Sequence, residues 1–509
     1  MKSLYNLNIF FALLILLIFL PACDNNDSSQ ESNDIHDFIR EVGDLQRLGR
    51  QLVITLDGQS EVITVKGVAY SPIAIGASFD DSNIGDIFFN NGDDAFWEPI
   101  WQRDLEKIRE MGANTIRLYS MWPWDPFWQG SGTFSPVPPP PGSEHFRDHT
   151  KFLDMVLQQN PDDPLVCAFV AYPVRSEIFD YCSCVDSACG CSSADPSEIV
   201  MTNSGAEFRR TGNTTVQDQD RVAYTTLAEQ LKDNDTVWGF VIGNELNNDI
   251  RRSDPEYWNY IDSVAADIKQ IAPLKETMVT LLDDSMISIP LAKNIGPSMC
   301  AVVDPDGTIT VGSEPCTADT DCTSPNSICE EMPNIDIWGI NSFRGTQTEG
   351  FDRLFGDYQN ASRKPFIVTE FGPAASTRDS ESCASGNAVE LPDNALAQAD
   401  YLEVHWNDIR RTTINPAFGE TSPPSEVTSG GIVFEWTDEW WKAGTPGIHN
   451  GGTNANLAFP GGCADEEWFG INSVILKRNS PSDFPFPFVA DELDPRDAFE
   501  RIKNIWTGN

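Results

Sequence analysis

Short apolar runs alternate along this chain with longer stretches of helical spacing. Two of the runs end alike. Val237-Trp238-Gly239-Phe240-Val241-Ile242 passes into Gly243-Asn244-Glu245, and Phe366-Ile367-Val368-Thr369 passes into Glu370-Phe371-Gly372. Runs this short and this apolar read as strands buried on both faces. With 237–244 and 366–370, the pattern predicts strands at 67–70, 114–119, 165–172, 277–282, 335–341 and 431–436. Helical spacing lies between them at 101–111, 152–157, 222–231, 257–271 and 395–409, and a closing helix is expected over 494–505. In the first of these Trp101, Leu105 and Ile108 share a side. Strands alternating with helices imply a parallel sheet, and eight of them predict an α/β fold, a closed (β/α)8 TIM barrel. It is expected to fill 51–509 as one domain, with no internal repeat. Ahead of the first strand, 52–56 and 62–65 flank Asp57-Gly58, a hairpin signal. Such a hairpin is placed to plug the bottom of the barrel.

A carboxylate at the carboxyl end of a parallel strand lies on the face where a barrel keeps its chemistry. Glu245 and Glu370 both have that position. Two such strands suggest a pair of carboxylates facing one pocket, the equipment of a glycosidase. The spacers are uneven. Residues 122–147 are rich in Trp and Pro, 182–199 and 300–329 carry clustered cysteines, and Lys442-Ala443-Gly444 leads into a Gly/Asn-rich loop reaching 462. All follow strands, so they are expected on the cleft face. Asp304-Pro305-Asp306-Gly307 reads as a turn before it reads as a calcium loop.

The amino terminus changes the compartment. Lys2 precedes an apolar stretch, 9–20, that is short for a membrane span. It ends Leu20-Pro21-Ala22-Cys23, which resembles a bacterial lipoprotein signal, although Pro21 is not the usual residue there. The resemblance implies that 1–22 is removed and that Cys23 is lipidated, so that the membrane is a partner through the anchor. An ordinary cleaved signal is the alternative, and both give export. Residues 23–50 read as an acidic tether. Export favours disulfides. Of 12 cysteines, Cys167 lies in an apolar run and reads as a buried free thiol. Cys182, Cys184, Cys189 and Cys191 form one cluster, and Cys300, Cys316, Cys322 and Cys329 another. Each cluster allows three connectivities. Cys383 and Cys463 remain as a long-range pair. A zinc site is the rival for the first cluster, which lacks a standard spacing.

The formal charge is −43, which excludes nucleic acid as a partner because phosphates would be repelled. Fourteen Trp and 40% hydrophobic residues exclude a disordered acidic chain. The five His are scattered, with no pair at metal-ligand spacing. No metal or other cofactor is expected, and the chain is expected to be a monomer.

Gly67-Val68-Ala69-Tyr70, Arg103-Asp104-Leu105, Asn114-Thr115-Ile116-Arg117-Leu118-Tyr119, Gly243-Asn244-Glu245 and Thr369-Glu370-Phe371-Gly372 occur in that order. Together they resemble the retaining glycosidases of clan A, and most closely the cell-wall β-1,3-glucanosyltransferases. The resemblance implies Glu245 as acid/base, Glu370 as nucleophile and Asn244 as a hydrogen-bond partner of the sugar 2-hydroxyl. Arg117, near the end of the second strand, is placed to keep Glu370 ionised; a salt bridge elsewhere in the barrel mouth is its alternative. Tyr70, Tyr119 and Trp436 lie at strand ends and are candidates to line the sugar site, with Trp436 the expected platform. Ordinary packing competes for either Tyr. Trp122, Trp124 and Trp128 are candidates to extend the cleft. There is one departure. The clan often offers a Tyr on strand six that hydrogen-bonds the nucleophile, and Gly339-Ile340-Asn341-Ser342-Phe343 has Phe there. Either Tyr70 or Tyr119 takes its place, or the site is altered. The expected activity is hydrolysis or transglycosylation of a β-glucan or related polysaccharide with retention. One alternative is a non-catalytic polysaccharide-binding surface lipoprotein. The missing Tyr speaks for it, and the presence of both Glu against it. The other is a structural lipoprotein, against which the Trp-rich loops speak.

Overall fold

Eight parallel strands close into a barrel in sequence order: Val65–Ala69, Thr115–Arg117, Cys167–Tyr172, Val237–Ile242, Glu276–Leu282, Ile337–Asn341, Phe366–Phe371 and Gly430–Val433. Every one overlaps a run predicted from the sequence. The computed structural model describes residues 43–56, 58–76, 94–125, 128–129, 137–157, 166–172, 174, 178–185, 189, 191–193, 199–202, 205–212, 214–247, 254–283, 289, 296–377, 389–390, 392–413, 427–451, 463, 465–477 and 490–508. They fall within one compact unit, Ile39–Asn509.

Strand alternation sorts the core into two layers. Along the third strand Cys167, Phe169 and Ala171 point into the barrel, where they meet Val65, Trp238, Met278, Ile337, Ile367 and Ile432. Ala168, Val170 and Tyr172 point outward and pack under the helices. The helices that follow strands one to four are Asp94–Glu110, Thr150–Leu157, Thr214–Leu231 and Pro255–Ile271. Leu354–Ala361 and Pro392–Thr412 follow strands six and seven, and Asp497–Thr507 closes the chain. Among them Pro255–Ile271 shows its start signal plainly: Asp254 accepts from the Glu256 amide at 3.0 Å and Pro255 opens the helix.

The plug forms as expected and is larger. Gln46–Leu48, Gln51–Leu56 and Gln59–Val62 make one antiparallel sheet. Leu45, Leu52 and Ile54 join the inner barrel layer. Arg47 donates its amide to Glu276 at 2.7 Å, and Lys275 pairs with Asp44 at 2.6 Å. Both partners sit where the fifth strand begins, so the sheet closes the amino-terminal end of the barrel. The folded domain therefore takes in 44–50, which composition alone assigned to the tether. The stretch 1–42, with the expected signal and Cys23, lies outside the described residues.

One insertion lies at the end opposite to the one expected. Ser298–Val303, Ile309–Pro315 and Ser327–Glu331 form a sheet beside the plug. The Gly49 amide donates to Gly307 O at 3.1 Å, and Arg47 pairs with Glu330 at 2.7 Å. Only the chain just after a strand must lie at the carboxyl end. This insertion ends just before strand six, so it lies away from the site. Within it Gly307 donates to Asp304 O at 2.9 Å, a turn as expected.

The disulfides are Cys182–Cys189, Cys184–Cys191, Cys300–Cys322 and Cys316–Cys329. The first cluster is thus committed to crosslinks and offers zinc no thiolate. Cys463 is also disulfide-bonded; Cys383, its expected partner, lies outside the described residues. Cys167 is a buried free thiol, and burial pushes its ionisation far up, so it is inert. Non-reducing peptide mapping is expected to recover the four bridges named, a fifth joining Cys383 to Cys463, and an unmodified Cys167. Any exchange of partners within a cluster would overturn the assignment.

Candidate active site

The site is built at the carboxyl ends of strands two, four, six and seven. On strand two the alternation that sends Ile116 and Leu118 outward sends Arg117 and Tyr119 inward. Strand four stops at Ile242. Gly243 then adopts φ +67°, where a Cβ would lie 2.4 Å from the Leu246 side chain, and Glu245 itself takes φ 50°. This sharp turn presents Asn244 and Glu245 at the barrel mouth. Strand seven carries Glu370 directly, in a position that is 5% exposed.

Arg117 joins these ends. Its Nη1 donates to Glu370 Oε1 at 2.8 Å and to Thr369 O at 3.1 Å, and its Nη2 donates to Asn244 Oδ1 at 2.7 Å. The Tyr119 hydroxyl donates to the same Glu370 oxygen at 2.9 Å. Asn341, at the end of strand six, completes the frame. Its Nδ2 donates to Glu245 Oε1 at 3.0 Å and to Asn244 Oδ1 at 3.1 Å. Its Oδ1 accepts from Thr369 Oγ1 at 2.8 Å and from Arg117 Nη1 at 3.3 Å. The two carboxylates are thereby tied to one another through Asn341 and Arg117.

The electrostatics oppose one another. Burial pushes the Glu370 carboxyl up, Arg117 pulls it down, Glu245 pushes it up, and the Tyr119 hydrogen bond and Lys442 pull it down; the outcome is about 7. Burial, with the Glu370 charge beside it, holds the Tyr119 phenol well above its ordinary range, so it stays protonated and donates.

Five of the expected site residues meet here: Glu245, Glu370, Asn244, Arg117 and Tyr119. Two do not. Tyr70 shares the outward face of strand one with Val68, and its hydroxyl donates to buried Asp104 at 3.2 Å. Trp436 is fully buried against Phe499 of the closing helix and offers no face to a sugar. Trp122 and Trp124 are likewise core residues, while Trp128 is half-buried with its indole N–H on Val137 O at 2.9 Å. Phe343 packs edge-on against Phe434 and Phe469, with centroids 5.8 and 5.7 Å apart. The hydroxyl expected from strand six comes from Tyr119 instead. Sequence reasoning missed Asn341 as a site residue, although a polar residue ending an apolar strand is the same signal that marked Asn244.

No protein-family model matches the chain, and no curated protein does. Among solved structures it is similar to a GH2 β-galacturonidase from Eisenbergiella tayi bound to galacturonate, at 13% identity and a TM-score of 0.44, covering 92% of this chain and 54% of that one. It is similar to a β-D-glucuronidase of Dictyoglomus thermophilum at 12% identity and a TM-score of 0.46, with the same coverages, 92% and 54%. It is also similar to a calcium-binding mutant of Bacteroides uniformis β-glucuronidase 2, at 12% and 0.45, covering 92% of this chain and 36% of that one. The chain spans about half the length of the first two and less of the third. The barrel rests on the strand pairing above and does not depend on these likenesses.

The Glu370 carboxyl leaves a mark on stability. Its folded value, about 7, lies above its ordinary 4.5. Between those values the native state holds a proton that the unfolded chain has released, so stability falls as pH rises. The full effect is on the order of 3 kcal/mol, present above about pH 7 and absent below about 4.5. Urea unfolding at pH 5 and pH 8 is expected to show this loss in the native protein and not in Glu370→Gln, whose lost ion pair adds only a constant offset. Equal pH slopes for the two proteins would refute the assignment.

Proposed function

We propose that the protein is a retaining glycoside hydrolase or transglycosylase that acts on a β-glucan or related polysaccharide. The observation that carries this is the asymmetric pair. Glu370 accepts from Arg117 and Tyr119 through one oxygen, a setting that favours its anion. Glu245 makes no ion pair among the described residues and receives a neutral amide N–H from Asn341. One carboxyl paired with a cation beside another without one is the asymmetry that double displacement uses. In this reading Glu370 attacks the anomeric carbon while Glu245 protonates the leaving oxygen. Glu245 then takes the proton from the water or sugar hydroxyl that resolves the intermediate. Asn244, fixed by Arg117 and Asn341, is placed to bind the 2-hydroxyl beside the anomeric centre. The Tyr119 hydroxyl also answers the Phe343 departure, the feature that speaks for a non-catalytic binder.

Trapping with a 2-deoxy-2-fluoro glycosyl fluoride, followed by peptide mass spectrometry, tests the mechanism. The label is expected on Glu370, and Glu245→Ala is expected to accumulate it with slow release that azide accelerates, giving a product of retained configuration. A label elsewhere, or an inverted product, would sink the assignment.

The disulfides accord with an exported protein, and no described helix is long and apolar enough to cross a membrane. We further propose anchoring through a lipid on Cys23, from the Leu20-Pro21-Ala22-Cys23 run. Native protein is expected in the membrane fraction and Cys23→Ser in the soluble one. A soluble native protein without lipid by mass spectrometry would contradict this.

A further inference from the structure

The turn that carries Asn244 and Glu245 is anchored on both flanks. Glu245 has φ 50°, a left-handed backbone that glutamate seldom adopts and that persists only where the surroundings overdetermine it. The helices that precede and follow strand four each send one buried tyrosine to this turn. Tyr224, on Thr214–Leu231, is 1% exposed. Its hydroxyl accepts from the Gly243 amide at 3.0 Å and donates to Tyr172 O. Tyr257, on Pro255–Ile271, is 2% exposed, and its hydroxyl donates to Leu246 O at 3.3 Å. The Leu246 amide donates to Thr280 O at 3.2 Å, and the Asn247 side chain bonds the amide and the carbonyl of Leu282, at 2.7 and 3.0 Å. Asn244 and Glu245 thus stand between two fixed points, Gly243 and Leu246.

We propose that Tyr224 and Tyr257 are positioning residues for Glu245, two phenols that fix from behind the turn presenting its carboxyl at the barrel mouth. Tyr224 acts through Gly243. The pairing of strands three and four ends at Ile242 and Tyr172. Beyond it Tyr172 O stands 3.2 Å from the Gly243 amide, and the Tyr224 hydroxyl is inserted beside it, bonded to both. This inserted oxygen spaces the two strand ends at the residue where the chain turns. Without it the Gly243 amide and Tyr172 O keep each other as partners, so no buried polar group is orphaned there. The Tyr224 ring also keeps its edge-on packing against Tyr172, with centroids 5.1 Å apart. What is lost is the spacing. Tyr257 holds the other flank through the Leu246 carbonyl. The effect reaches the chemistry through Asn341, whose Nδ2 donates to Asn244 Oδ1 at 3.1 Å and to Glu245 Oε1 at 3.0 Å. A turn that drifts strains these bonds, which fix the acid/base relative to Glu370.

The role rests on the proposed function in that Glu245 is the acid, and two measurements separate them. Tyr224→Phe and Tyr257→Phe each remove one oxygen, and either carries the test should the other not fold. With aryl β-glucosides, kcat/KM reports the step in which Glu245 protonates the leaving oxygen. It is expected to fall about 10-fold or more for phenyl β-glucoside, whose leaving group needs the acid, and less than about 2-fold for 2,4-dinitrophenyl β-glucoside, whose leaving group does not. Equal losses for the two substrates, or no loss for either, would overturn the role. Amide hydrogen exchange read by mass spectrometry needs no turnover. Exchange over 242–247 is expected to rise about 3-fold or more in each variant, with the rest of the barrel unchanged. Unchanged exchange there would also overturn the role. Faster exchange over 242–247, in a protein whose native form cleaves neither glucoside nor a panel of polysaccharides, would support the clamp and count against the glycosidase reading instead.

Discussion

The site depends on one buried cation. The Arg117 guanidinium is 0% exposed, and a charge so placed is tolerated only when it is paired and hydrogen-bonded. Its partners come from three other strand ends: Asn244 beyond strand four, Asn341 on strand six, and Thr369 with Glu370 on strand seven. Those strands are therefore held in register at the mouth by the need to satisfy one side chain. Breaking such a buried pair from one side costs on the order of 3–5 kcal/mol. The positions of both carboxylates follow from the same requirement, because Asn341, fixed by Arg117 and Thr369, is what holds Glu245.

The rest of the barrel supplies the low dielectric that makes this pairing strong. Below the site, Phe169, Trp238, Met278, Ile337 and Ile367 fill the interior, and the plug sheet shuts the far end with Leu52 and Ile54. Close packing of strands four and five leaves no space at Gly239, where a Cβ would lie 2.4 Å from Glu276 O. The helices form a separate outer layer. The division of labour is that of alternating strands: inward positions carry site and plug, outward positions carry the helices.

The fold was legible because most of the barrel strands are apolar on both faces, a signal that survives without knowing their neighbours. Arg117 and Glu370 were legible because a charge at the end of such a strand has few other reasons to be there. Tyr70 was misplaced for a reason visible in the sequence. It lies two residues from Val68 and so shares its face, while Arg117 and Tyr119, also two apart, share the other kind. Applying that period at strand one separates the two tyrosines from sequence alone. Trp436 is different. Period two from Ile432 and Phe434 points it inward, but the regular strand stops at Val433, and beyond it the alternation lapses. The position of the 300–329 sheet was illegible for another reason: a long insertion leaves the carboxyl end of one strand and must return to the amino end of the next, and spacing does not say where along that path it folds.

The exchange of a hydroxyl between strands shows how the same electrostatic task can be met from a different place. With Phe at 343, strand six contributes no phenol, and Phe343, Phe434 and Phe469 instead form an apolar wall. Such a wall raises the energy of a nearby carboxylate, because it removes water without providing donors. Tyr119 returns one donor and Arg117 a charge, both to the same oxygen of Glu370. Burial outweighs these donors, which leaves the carboxyl at about 7, where it changes state near neutral pH.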